Sequence, residues 1–262
     1  VRSVYPDSDG MPMLHLGTFV TNYQSPLIER WGGWYVTGEH GRQRHMGNIV
    51  YPDRPDLAVL SEVGANITDL STRFNSAPYL SPYSDIVALM VLEHQAYTHN
   101  VITRANFETR RALQYNADMN KALQKPQAHV WDSTQSRIKS VCEPLVDCLL
   151  YSGEAALTDP IKGTSGFTEY FSQLGPRDGQ GRSLRQFDLK QRMFKYPCSY
   201  LIYSAAFDGL PDAAHEYVYK RLWEILNGSD SDKRFSHLTA EDRRNIRDIL
   251  LATKKGLPAN WK

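Results

Sequence analysis

The 262-residue chain is 41% hydrophobic and 23% charged, an ordinary balance for a globular protein able to bury a substantial core. Thirty basic residues face 29 acidic ones, so charge gives no case for nucleic acid or an acidic membrane surface as a partner. No apolar run approaches the roughly 18 residues of a membrane span, and the chain is not expected to be membrane-spanning.

Residues 1–60 are rich in Gly, Pro, Trp and Tyr, which predicts an irregular, partly β N-terminal lobe. Leu16–Tyr23 and Trp34–Thr37 are its strand candidates, being β-branched and aromatic. The block Glu29–Asn48 (ERWGGWYVTGEHGRQRHMGN) sets His40, Arg42, Arg44, His45 and Met46 among Gly38, Gly41 and Gly47. One reading is a polar loop with aromatic anchors. The other is a flexible ligand-binding loop, in which arginines pair with carboxylates and His45 or Met46 coordinates a metal. No HExxH, CxxC, P-loop or GxSxG motif accompanies it.

Residues 61–262 read as a helical domain, either separate from the first lobe or continuous with it. Its centre is the stretch from Ser81 to Leu123, which contains no Gly and only Pro82 near its start. Ser81, Ser84 and Asp85 are N-cap candidates, and Pro82 suits a first turn. Ile86, Met90, His94, Tyr97, Val101 and Ala105 form one helical stripe. His94 then reads either as a core histidine bonded to a Tyr or Glu, or as a ligand. Arg104 falls on nearly the same side as Glu93, so it reads as part of a surface charge ladder or as an anion contact.

Further helices are predicted over Val130–Tyr151, kinked or divided at Pro144, over FTEYFSQL, over Leu184–Phe207 and over Ala213–Leu226. A last helix is predicted after Thr239, with Asp242 completing a capping box. Cys142, Cys148 and Cys198 are odd in number, which argues against a disulfide framework. A first residue of Val rather than Met predicts a processed or truncated N-terminus. The fold class is therefore mainly α: an irregular, partly β N-terminal lobe packed on helices built around one long central helix.

Several blocks together resemble a family of bacterial c-type cytochrome proteins. They are VRSVYPDSDG, SPLIERWGGWYVTGEHG with RHMGN, DIVALMVLEHQ with HNVITRAN, GRSLRQFDLKQRMFKYPCSYLIYSAAFDGLP, and VYKRLWEIL. Members look like exported proteins with a CxxCH haem-attachment site shortly before the segment matching Val1–Ser3. This chain has no CxxCH, so the resemblance implies a haem attached outside it or bound without covalent linkage. It also implies a periplasmic setting and a redox partner protein. A second axial ligand would be His or Met, and we rank His45 first, His94 second and Met46 third. Arg42, Arg44 and Arg104 are the candidates to pair with haem propionates. The implied role is electron transfer or reduction of a small oxidant; the rival is a non-catalytic scaffold that binds the redox partner. An enzyme would need an open distal side, with His45 or His94 as acid–base group instead of ligand.

Overall fold

An N-cap made by one buried carboxylate starts the longest element. The computed structural model describes residues 1–57 and 61–261. Helix α1 (Ile86–Ala122) has 37 residues, about 55 Å at 1.5 Å per residue. Asp85 Oδ1 accepts from the Val87 and Ala88 N–H groups at 2.8 and 3.3 Å, satisfying donors that the first helical turn leaves open. Its Oδ2 accepts from Thr164 N, Ser165 N and Ser165 Oγ at 2.8–2.9 Å. Asp85 is thus the cap among the three candidates, and Pro82 lies before the helix rather than in its first turn. The predicted stripe is the inner one: Ile86, Met90, His94, Val101 and Ala105 are buried, and Tyr97 is half-buried.

The other helices among the described residues are α2 (Asp132–Leu149), α3 (Phe167–Gln173), α4 (Ala205–Asp208), α5 (Asp212–Leu226) and α6 (Ala240–Thr253). A two-stranded antiparallel sheet pairs β1 (Arg2–Val4) with β2 (Thr18–Val20), Ser3 opposite Phe19. With 43% of the described residues in helix against 5% in strand, the fold is mainly α with a small N-terminal strand region.

The chain divides into two compact units, each discontinuous in sequence. Unit 1 comprises residues 1–97, 154–175 and 185–195; unit 2 comprises 98–153, 176–184 and 196–262. The expected lobe over residues 1–60 and the first turns of α1 both fall in unit 1. In unit 2, Ile138, Cys142, Leu145 and Leu149 of α2 are buried, as are Val218 and Leu222 of α5 and Ile246, Ile249 and Leu250 of α6. The Thr239–Asp242 capping box at α6 forms as predicted. All three cysteines are buried, and burial pushes the Cys142 and Cys198 thiols up to about 11 and about 12, so neither offers a thiolate.

Three expectations are corrected. Of the two outcomes expected at Pro144, division does not occur: helix α2 continues past it. Ser140, whose carbonyl Pro144 cannot bond, sits at an exposed position, open to solvent. Leu184–Phe207 is mostly not helical: residues 186–195 fold back on themselves, Lys195 N–H donating to Gln186 O and Leu189 N–H to Arg192 O. Asp188 Oδ1 closes that turn by accepting from Lys190 and Gln191 N–H, and Phe187 stacks on Phe194 at 4.9 Å. Among the described residues Trp34–Thr37 forms no strand, and Thr37 alone makes an isolated bridge, to Asp85. The Asn48 side chain occupies Val36 from both sides, Oδ1 accepting its N–H at 2.8 Å and Nδ2 donating to its carbonyl at 2.7 Å.

Candidate functional site

The Arg30–Asn48 segment of unit 1 is held by its own turns. Trp31 takes a left-handed backbone (φ 64°), and Trp34 N–H returns to its carbonyl at 2.9 Å. Arg30 O accepts from Met46 N–H at 2.9 Å, and Trp34 O from Asn48 N–H at 2.9 Å. Gly32 lies against β1, its N–H bonded to Ser3 Oγ at 2.7 Å. A Cβ there would stand 2.0 Å from Val4 O and 2.9 Å from Met46 Cε. Gly32→Ala is therefore expected to lower stability by about 1–3 kcal/mol, as overpacking does. A urea unfolding midpoint unchanged from wild type would contradict this contact.

These constraints correct the expectation of a flexible loop, because His45 and Met46 are buried, 5% and 4% exposed. The His45 ring meets Trp31 at 5.5 Å and His40 at 4.7 Å. His40 is fully bonded: Nδ1 donates to Gln43 O at 2.8 Å and Nε2 accepts from Asn66 N–H at 2.9 Å. His45 Nδ1 accepts from Gly47 N–H at 3.0 Å. Burial, reinforced by His40 and Arg44, pushes His45 down to about 3, so the ring is neutral. A neutral imidazole that accepts at Nδ1 carries its proton at Nε2. No described residue bonds that nitrogen.

His45, Met46 and Arg44 line one cavity of about 180 Å³, together with Tyr5, Tyr51 and Glu29. Tyr5 and Tyr51 meet edge to face at 5.1 Å. Both phenols are raised by burial, Tyr5 further by Glu29, and both stay protonated. Met46 Sδ accepts from Ser3 Oγ at 3.5 Å. Arg44 Nε donates to Glu62 Oε1 at 2.8 Å and Nη2 to Oε2, so its charge is already paired.

The remaining candidates lie elsewhere. Arg42 projects into solvent, 93% exposed, at 3.9 Å from Asp159. Arg104 is exposed on the part of α1 that belongs to unit 2. His94 is wholly buried in unit 1, its ring 5.6 Å from Tyr23, and burial pushes it down to about 3. Beside it in sequence, Glu93 is equally buried, bonded to Thr21 Oγ1 at 2.5 Å and to Arg30 Nη1 at 3.2 Å. Arg30 also donates to Ser25 O and Tyr23 O. Sequence reasoning missed Arg30, Tyr5 and Tyr51.

His94 carries a pH signature. The folded state keeps it neutral, while the unfolded chain binds a proton near 6.5, so its contribution is present above about pH 6.5 and is lost as pH falls toward about 3. Gln at this position does not titrate. The stability gap between wild type and His94→Gln should therefore narrow on the acid side by about 1.4 kcal/mol per pH unit below 6.5. Urea titrations at pH 7 and pH 5 check this; a constant gap contradicts it.

As arranged, the cavity does not fit a haem held within this chain. Ligation through His45 Nε2 needs the proton on Nδ1, where it would face the Gly47 N–H, donor against donor. The volume also falls below the roughly 300–1,000 Å³ of most small-molecule sites. Among the described residues, no group of three or more His, Cys, Asp or Glu is placed to hold a metal ion. No helix among them is long and apolar enough to cross a membrane. Compared with known protein families, curated proteins and solved structures, the chain matches none. The resemblance to c-type cytochrome proteins rests on the sequence blocks quoted for it.

Proposed function

We propose that this chain is part of a haem-associated periplasmic redox protein, that the haem is carried outside the chain, and that the His45 cavity admits a small oxidant. The sequence resemblance supports the haem and the compartment. The observation that carries the role of the chain is His45: a buried, neutral residue of the cavity lining, whose Nδ1 accepts from Gly47 N–H and whose Nε2–H bonds no described residue. Haem, when present, supplies electrons. The chain's residues exclude water from a bound molecule and orient it, with His45 as a neutral hydrogen-bond donor rather than an axial ligand. A redox partner protein completes the electron path.

The test is spectroscopic. Protein from the native host should show a Soret band from haem outside this chain, whereas the chain alone, titrated with haemin, should give no six-coordinate spectrum. A native protein without haem would overturn the redox reading. A His45-dependent six-coordinate spectrum from the chain alone would move the haem into the cavity. A second reading, a non-catalytic subunit that binds the redox partner, is favoured by the exposed Phe107, Leu113 and Tyr115 on α1. Loss of partner co-purification in Phe107→Ser/Tyr115→Ser, with haem reduction unaltered, would select it.

A further inference from the structure

We propose that the His45 cavity binds a neutral molecule about the size of one aromatic ring, through a carbonyl oxygen. This deepens the small-oxidant reading of the same cavity and rests on it for any redox role; binding itself requires no haem.

Size comes first. A cavity of about 150 Å³ accommodates benzene, and this one is about 180 Å³. Its apolar wall comes from Phe19, Ile28, Ile49 and Leu57, which suits a hydrocarbon body better than peroxide or a bare oxyanion.

Hydrogen bonding comes next. His45 Nε2–H and the Tyr5 and Tyr51 hydroxyls belong to residues that line the cavity, and none bonds another described residue. His45 has no lone pair to offer at Nε2, so a ligand must accept there. A carbonyl oxygen, with two lone pairs, can accept from two such donors.

Charge decides between neutral and anionic acceptors. Among the described residues the one guanidinium on the wall, Arg44, is forked onto Glu62, and the Glu29 carboxylate lines the same space. His45 brings no positive charge. A carboxylate ligand would lose its hydration to neutral donors beside a like charge, which a neutral carbonyl avoids.

Calorimetric titration of the chain with three ring compounds of similar size tests this. Acetophenone is the neutral acceptor, benzoate the anion and ethylbenzene the apolar control. Acetophenone should bind at one site, and ethylbenzene about 3–10-fold more weakly, the worth of a neutral hydrogen bond. Benzoate should show no saturable binding. Tyr5→Phe/Tyr51→Phe keeps the rings and should weaken acetophenone by a similar factor, with thermal unfolding checking the fold. Chemical-shift changes at the Met46 methyl on adding acetophenone should locate the site in the wild-type chain. Benzoate binding as tightly as acetophenone, an unaltered affinity in the folded double variant, or no acetophenone binding would each overturn the proposal. Haem in the native protein without acetophenone binding sinks this inference alone. Acetophenone binding in a protein without haem sinks only the redox reading.

Discussion

Arg30→Met is expected to lower the stability of the protein by about 3–5 kcal/mol, the cost of breaking a buried ion pair from one side. The Arg30 and Glu93 side chains are 5% and 0% exposed, and they meet at 3.2 Å. Burial works to raise the Glu93 carboxyl, and it is opposed first by the Arg30 charge and then by the Thr21 hydrogen bond. Burial likewise works to lower Arg30, opposed by the charges of Glu93 and Glu154. Removing Arg30 leaves Glu93 without its cation and takes both Arg30 donors from the Ser25 carbonyl, while the Tyr23 carbonyl keeps the Ala155 N–H. Glu93 would then keep its proton in the folded state, so the loss should be larger at pH 8 than at pH 6. Arg30→Met/Glu93→Leu, with no uncompensated charge, should recover part of the loss. Urea unfolding at both pH values reads this directly, and a loss under 1 kcal/mol would contradict the pair's burial.

Asp85→Ala is expected to cost about 2–4 kcal/mol, because one carboxylate serves as both helix cap and loop anchor. The cap alone is worth about 0.5–2 kcal/mol. The further N–H donors of Thr164 and Ser165 would be left without acceptors at a residue only 5% exposed. Gly163 permits the close approach, since a Cβ there would meet Asp85 Oδ2 at 2.6 Å. Asp85→Asn keeps one carbonyl acceptor and should lose less. Hydrogen exchange should show the first turn of α1 and residues 163–165 opening together; exchange raised in only one of them would separate the two roles.

Helices with long periodicity and local caps were legible in the sequence. The α1 stripe, helix α5 (expected over Ala213–Leu226, found over Asp212–Leu226) and the Thr239–Asp242 box depend on residues within a few positions of each other. Residues 184–207 misled because apolar density there comes from a turn closed by Asp188 and from two stacked phenylalanines, not from a helical face. The same distinction governs the site. His45, Met46 and Arg44 share a cavity because they are adjacent in the chain, and that much was readable. Tyr5 reaches the cavity from β1's end of the chain, and Arg30 and Glu93 pair across 63 positions. No local pattern announces such pairings. His94 had two readings from its place in the stripe; wholly buried against Tyr23, it occupies a core position.

On this reading His45 is a neutral donor in the cavity lining rather than a ligand in waiting. Long-range proton–nitrogen correlation of the histidine rings measures this directly. His45 should hold its proton on Nε2, with Nδ1 shifted as an acceptor, and stay neutral from pH 8 down to pH 5. A proton on Nδ1, or an imidazolium at pH 6, would contradict it.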